Sequence, residues 1–222
     1  MFLPLDKGRV GGVNRDFLMN KENIIEEKSD YLGSKMGMWL FIFTELLLFT
    51  GLFLLYSTFR SRYSGEFHTG AAGLNKTMGT LNTVLLLTSS LTMALSINVI
   101  KKGQKKLSVL LQGLTVSLGL LFLVDKYLEW SEKISHGIYP NSAELLQRGK
   151  GETIFYGLYY LMTGLHGLHV IAGIILISIM INMTINERIH REKFVKLENA
   201  GLYWHLVDVV WVYLFPVFYL IS

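Results

Sequence analysis

Residues 36–59 read MGMWLFIFTELLLFTGLFLLYSTF, an apolar run of 24 residues in which Glu45 is the single charged side chain. A hydrocarbon core about 30 Å thick is crossed by about 20 helical residues, and a helix satisfies its own backbone hydrogen bonds in lipid. This run therefore predicts a transmembrane helix. Four further apolar runs are long enough to cross: 78–100, 107–130, 153–183 and 202–221. We expect an all-α membrane protein, a bundle of five transmembrane helices, with the long fourth span tilted or beginning in the outer interface.

The composition of the chain agrees with a membrane protein. Of its 222 residues, 51% are hydrophobic and 17% are charged, below the roughly 25% charged residues of soluble domains. The absence of cysteine excludes disulfides, cysteine-ligated metal centres and thiol nucleophiles. The formal charge is +4, but Lys and Arg lie between apolar runs and form no aromatic-interleaved basic stripe. We therefore expect no nucleic-acid partner and assign these charges to anionic lipid headgroups.

The polar residues outside the spans predict the orientation of the chain. Residues 1–34 hold five Lys/Arg and six Asp/Glu with no apolar signal region, so we expect a retained polar segment, with a short surface helix possible over 20–28. Successive connections between the spans lie on alternate sides of the membrane. Counted in this way, 14 Lys/Arg outside the spans fall on the N-terminal side and six on the other. The positive-inside rule then predicts a cytoplasmic segment 1–34, a transmembrane domain 35–222 and an outer C-terminus. In a bacterium this is an inner-membrane protein; the alternative is an organellar inner membrane, with residues 1–34 in the interior of the organelle.

Glu45 is the clearest charge within a span. It follows Met36 by nine residues, which at 1.5 Å per residue places it roughly 13 Å into the membrane. A carboxyl group at that depth is costly and is by default a functional hypothesis. Two compatible interpretations stand side by side. Glu45 either handles protons, or is protonated or hydrogen-bonded to a neighbouring helix and holds the bundle together.

Two pairs of polar residues occupy the fourth and fifth spans. His166 and His169 are three residues apart, as are His205 and Asp208, so each pair shares a helical face. Together with Glu45 they could form one buried cluster. The leading interpretation is packing, with neutral histidines donating to a carboxylate or a carbonyl and fixing the first, fourth and fifth spans. A proton relay is second, and a metal or haem site is third.

The third span ends in charged residues. Asp125 and Glu129 share a face at i, i+4, with Lys126 between them and Trp130 directly after. We expect an outer interfacial cap, in which the charged groups snorkel and Trp130 anchors at the headgroup level. The alternative is contact with an outer loop of a partner subunit. The small polar residues of the second span, including Asn82 and Ser89, predict close helix packing.

No nucleophile–base pair, dinucleotide-binding turn or complete metal-ligand set emerges from these residues. We therefore expect the chain to have no catalytic centre of its own. Any reaction to which it contributes belongs to a partner.

Three motifs carry a resemblance to a known family. They are MWLFIFTELLLFTG over 38–51, TGLHGLHVIAG over 163–173 and YWHLVDVVW over 203–211, and LNTVLLLTSS over 81–90 adds a fourth. The first three, in this order, resemble the signatures of cytochrome c oxidase subunit III, and the last resembles the family's second marker helix. The similarity covers roughly residue 33 to the C-terminus. Many members have seven helices. The chain is similar to a shorter five-helix form that lacks the first two.

The resemblance implies a metal-free bundle docked on catalytic subunit I, which carries haems and copper, with subunit II in the same complex. It implies structural phospholipids in a cleft, although lipid contacts made by the two missing helices are then in doubt. Glu45 matches the family's intramembrane glutamate, associated with sustained proton uptake. His166, His169, His205 and Asp208 match motif residues with a chiefly structural role. The family is also linked to protection from turnover-induced inactivation and to oxygen access.

Alternatives remain within and outside the family. Subunits of quinol oxidases and nitric oxide reductases share these motifs, but they often carry Asp where this chain has Glu45, which favours the cytochrome c branch. A stand-alone proton-coupled transporter would also bury Glu and His. That class predicts inverted repeats or Gly/Pro-broken helices in corresponding halves, and the apolar runs show neither before Pro216.

Overall fold

The computed structural model describes the backbone of residues 15–220 and the side chains of residues 31–220. The described residues form seven α-helices followed by one turn of π-helix. The helices are α1 (Arg15–Arg62), α2 (Ser64–Ala72), α3 (Lys76–Lys101), α4 (Lys105–Ser135), α5 (Ala143–Gln147), α6 (Lys150–Ile185) and α7 (Val195–Phe215), and the π-turn covers Pro216–Leu220.

Five segments are long and apolar enough to cross a membrane, as the apolar runs predict. They are Tyr31–Arg62, Lys76–Lys101, Lys105–Ser135, Lys150–Ile185 and Val195–Leu220. Each begins before its apolar run, and the first four also end beyond it, so these helices continue into the polar flanks. Residue 221, the predicted end of the last span, lies outside the described residues.

The chain divides into two compact units, residues 1–40 and 41–222. The boundary falls within α1. In the first unit, the region predicted as a short separate helix, 20–28, is part of the continuous α1. The ammonium group of Lys35 lies 5.2 Å from the centre of the Tyr31 ring.

The second unit is a helix bundle in which α3 packs most extensively against α4, while α6 and α7 close the core. The buried residues of α4 recur at alternating intervals of four and three. They are Ser108, Gln112, Thr115, Gly119, Phe122, Lys126, Glu129 and Lys133. The same spacing recurs on α6 from Tyr156 to Thr184. A period of 3.5 residues keeps one stripe facing its neighbours, as in left-handed coiled-coil packing.

Part of α1 belongs to this second unit and contributes a narrower stripe. Its buried residues are Ile42, Phe49 and Tyr56, each seven residues from the next. Aromatic contacts hold the stripe: the Tyr56 ring lies 5.3 Å from Phe67 and 5.1 Å from Phe218. Glu45 lies one turn along from Ile42 and close to the same face, so its side chain is directed at the bundle.

Candidate functional site

Glu45 and His169 join α1 to α6 within the second unit. Oε2 of Glu45 lies 2.9 Å from Nε2 of His169, and both side chains are mostly shielded from solvent. The other ring nitrogen, Nδ1, lies 2.8 Å from the carbonyl oxygen of Leu165. The edge of Phe49 contacts the imidazole, and the Tyr203 hydroxyl donates to the His169 carbonyl. These four contacts fix the position and orientation of the His169 ring.

The geometry fixes how many protons the Glu45–His169 pair holds. A carbonyl oxygen only accepts hydrogen bonds, so Nδ1 of His169 carries a hydrogen that it donates to Leu165. The contact between Nε2 and Oε2 then requires one further proton, on the imidazole or on the carboxyl group. In either arrangement the pair as a whole is neutral. A proton can thus move between the two groups without leaving a net charge inside the membrane.

His166 occupies a different environment from His169. It is fully buried in the 3.5-residue stripe of α6, between the rings of Phe122 and Trp211. Its Nε2–H donates to the carbonyl oxygen of Val207 at 3.1 Å, which ties α6 to α7. Nδ1 has no hydrogen-bond partner within the part of the chain that the structure describes. His166 therefore links α6 to α7, and its hydrogen bond goes to Val207, whereas Glu45 bonds to His169.

His205 and Asp208 face α3. Nδ1 of His205 lies 2.7 Å from the hydroxyl oxygen of Ser90. Asp208 is 3% exposed, has the Ser90 side chain as its polar neighbour, and makes no hydrogen bond within 3.5 Å to any described residue. Next to them on α7, Trp204 is fully buried and its Nε1–H donates to Ser89 at 3.0 Å. Together these contacts tie α7 to α3.

The five motif residues therefore do not form one cluster. The structure brings Glu45 together with His169. His166 instead hydrogen-bonds to Val207, and His205 hydrogen-bonds to Ser90. No group of three or more His, Cys, Asp or Glu side chains that could hold a metal ion occurs among the described residues. The contacts link α1 to α6, α6 to α7 and α7 to α3.

The expected snorkelling of the charges at the end of α4 is wrong for Lys126 and Glu129. Lys126 is 8% exposed and Glu129 is 1% exposed, because both lie on the buried stripe of α4. Nζ of Lys126 lies 2.6 Å from Oε2 of Glu129. A buried charge is tolerated when it is paired and hydrogen-bonded, and the interior of the bundle supplies both kinds of partner.

Two tyrosines complete the surroundings of this ion pair. Nζ of Lys126 donates to the Tyr219 hydroxyl at 2.6 Å, and that hydroxyl donates to Glu129 at 2.7 Å. The Tyr159 hydroxyl also donates to Glu129, at 2.9 Å. The ammonium group lies 4.6 Å from the centre of the Trp211 ring. This network, which the sequence interpretation missed, joins α4 to α6 and to the π-turn.

Asp125 and Trp130 flank this ion pair. Both are half-buried. Asp125 has the fully buried Asn82 of α3 as a polar neighbour. The Trp130 ring packs edge-on against Tyr160, 5.1 Å away, and lines a groove of about 470 Å³ between α4 and α6.

Comparisons with known proteins agree with the motifs. Residues 25–222 match the family model described as cytochrome c oxidase subunit III. The chain is 32% identical over 199 residues to a cytochrome c oxidase subunit 3 of Prototheca wickerhamii, covering 85% of this chain and 69% of the relative. It is 30% identical over 191 residues to a probable quinol oxidase subunit 3 of Staphylococcus haemolyticus, covering 85% of this chain and 89% of the relative.

A third relative joins two subunits in one polypeptide. The chain is 28% identical over 195 residues to a haem-copper oxidase subunit I+III of Aeropyrum pernix, and the match covers 84% of this chain and 22% of the relative. In that protein, by its name, the subunit III region and subunit I are parts of the same chain.

Proposed function

Because the chain belongs to the cytochrome c oxidase subunit III family, we propose that it serves as the non-catalytic subunit III of a haem-copper oxidase in aerobic respiration. In this role it stabilises the catalytic subunit and sustains its proton uptake. The haems and copper lie in partner subunits. The closest partner is subunit I, which the fused relative supports, and subunit II completes the complex.

The proposed orientation places the N-terminus in the cytoplasm and the C-terminus outside a bacterial plasma membrane. Its support is the excess of Lys and Arg on the N-terminal side of the five spans. A bacterial relative of matching length supports the location. Phospholipids contact the bundle in this setting, where exposed apolar side chains such as Leu54 and Leu110 face the hydrocarbon.

The Glu45–His169 pair is the observation that carries the proton-uptake role. Its two heavy atoms, 2.9 Å apart, share one proton that either group can hold. Each side chain keeps some exposure, 18% for Glu45 and 16% for His169, so the pair is not sealed within the bundle. A pair of this kind can release its shared proton to a neighbour and then take up another near the surface of the subunit.

Replacement of Glu45 by Gln tests this role. The amide keeps the size of the side chain and can still hydrogen-bond to His169, but it cannot hold the shared proton. We expect slower proton uptake or a shorter catalytic lifetime of the purified oxidase, by several-fold, with its haem content unchanged. Thr44→Ala is the matched control, because the exposed Thr44 hydroxyl donates to the Phe41 carbonyl of its own helix and takes no part in the Glu45–His169 contact. Equal turnover and lifetime of Glu45→Gln and the natural chain at every pH would reduce Glu45 to a packing role.

A quinol oxidase subunit is the second candidate. The Staphylococcus haemolyticus relative, matched over 89% of its length, supports it. The two candidates differ in the electron donor of the complex, so oxygen consumption with reduced cytochrome c or with quinol as donor separates them.

A further inference from the structure

Two loops meet at one end of the five-span bundle. Each is taken with the helix residues next to it: 101–106 includes the last residue of α3 and the first two of α4, and 186–198 includes the first four of α7. Nζ of Lys101 lies 2.6 Å from Glu198, and Nζ of Lys105 lies 3.1 Å from Glu187. Lys101 also lies 4.7 Å from the centre of the Phe194 ring. These three contacts join the loops into one surface.

The contacts between the loops neutralise some of their charge and leave the rest. Together the two loops hold eight Lys/Arg and three Asp/Glu. The two ion pairs use two of each, which leaves six cations and Glu192. All six cations are exposed. They are Lys102, Lys106, Arg188, Arg191, Lys193 and Lys196, which we term the basic loop surface.

The basic loop surface is held close to the ends of the spans. Ile189, between two of its arginines, is 1% exposed, and Leu197 is fully buried. The α6–α7 loop is therefore anchored into the bundle and does not project away from it. The backbone of His190 and Lys193 closes a turn between these anchors. Cations fixed at this level lie within reach of the headgroup region of a bilayer.

The opposite end of the bundle lacks a comparable charge. Segments 60–76 and 132–152 contain six Lys/Arg and four Asp/Glu, an excess of two, whereas segments 101–106 and 186–198 have an excess of five. One of those basic residues, Lys133, is largely buried and donates to the Gly73 carbonyl. The excess positive charge is therefore concentrated at the end of the bundle that carries the basic loop surface.

We propose that the basic loop surface binds the headgroups of anionic phospholipids in the adjacent leaflet. This deepens the phospholipid contact of the proposed function by assigning it to particular side chains. Four to eight Lys/Arg directly beside a membrane span are the pattern that attracts acidic lipids. The position of the cations at the span ends favours lipid over a soluble acidic protein.

The experiment compares two charge-matched triple variants in the complex purified through this chain. The test variant is Lys102→Gln, Lys106→Gln, Lys193→Gln. The control is Lys76→Gln, Arg148→Gln, Lys150→Gln, three exposed cations of the opposite end. Each complex is incubated with equal amounts of phosphatidylglycerol and phosphatidylcholine and washed, and the retained lipid of each class is counted by mass spectrometry.

We expect the ratio of retained phosphatidylglycerol to phosphatidylcholine to fall at least about fivefold in the test variant. The control should change this lipid ratio less than twofold. A charge-conserving triple variant should leave the ratio unchanged; it is Lys102→Arg, Lys106→Arg, Lys193→Arg. High salt should abolish the preference of the natural chain, because it screens exposed charges. An unchanged ratio in the test variant, or equal losses in test and control, would overturn the proposal. So would loss of a bound acidic protein with lipid retention unchanged.

Optical spectra of the same samples keep this inference separate from the proposed function. If haem is absent from every preparation but the lipid ratio falls in the test variant, the oxidase role fails and the lipid surface stands. If haem is present throughout and the ratio does not move, the lipid surface fails and the oxidase role stands.

Discussion

The ammonium nitrogen of Lys126 lies 2.6 Å from Oε2 of Glu129, and both side chains are buried in the bundle. Tyr219 hydrogen-bonds to both members of the pair. Because Tyr219 belongs to the π-turn after Pro216, this ion pair fixes the end of the last span against α4. Pro216 lacks an amide hydrogen, which removes one regular helical bond where the wider turn begins.

Removal of one member of the Lys126–Glu129 pair is expected to destabilise the chain strongly. Lys126→Met leaves the Glu129 carboxylate buried without its cation and should lower the free energy of unfolding by about 3–5 kcal/mol. Unfolding by denaturant in mild detergent measures the change. Lys126→Met combined with Glu129→Gln removes both charges and should recover most of the loss. A single variant as stable as the natural chain would show that the pair is dispensable.

Trp204 makes two glycines sensitive to a single methyl group. A Cβ atom at Gly173 of α6 would lie 2.7 Å from the Trp204 ring, and one at Gly119 of α4 would lie 2.8 Å from it. Gly173→Ala should therefore destabilise the chain by about 1–3 kcal/mol, since the fully buried indole has to move.

The matched control for Gly173→Ala lies on the same helix. A Cβ atom at Gly167 meets nothing within 4 Å, so Gly167→Ala should raise stability by up to about 1 kcal/mol through helix propensity. Thermal unfolding of the two variants gives opposite signs if Trp204 packs as described. Equal effects would contradict that packing.

Energetic coupling between Glu45 and His169 should be measurable. A double-mutant cycle with Glu45→Ala and His169→Ala is expected to give an interaction free energy of about 1–3 kcal/mol, because the side chains are in direct contact. The same cycle with Glu45→Ala and His205→Ala should be additive, since His205 bonds to Ser90. Additivity in the first cycle would mean that the 2.9 Å contact contributes no stability.

The five spans were predictable from the sequence because the length of an apolar run and the thickness of a bilayer are directly comparable. The burial of Lys126 and Glu129 was also encoded, in the alternating four- and three-residue spacing of the α4 stripe from Ser108 to Lys133. A hydropathy argument uses the composition of a segment and ignores the spacing of its residues, so it assigns charged residues near the end of a span to the interface. The spacing would have placed them inside.

The partners of the motif residues could not be predicted in the same way. His166 and His169 are separated by three residues, but one lies on the α6 stripe and the other flanks it, so they face α7 and α1 respectively. Which helix lies beside each face depends on how the bundle is assembled. That arrangement is set by long-range packing, including the α3–α4 contact, and leaves no local signal.

The most direct test of the central claim is the optical spectrum of material purified through an affinity tag on this chain in mild detergent. The account predicts that haem absorbance co-elutes with the chain, in constant ratio to a larger catalytic subunit, and that copper accompanies it. A colourless chain that elutes intact without a haem-bearing partner would contradict the assignment as an oxidase subunit.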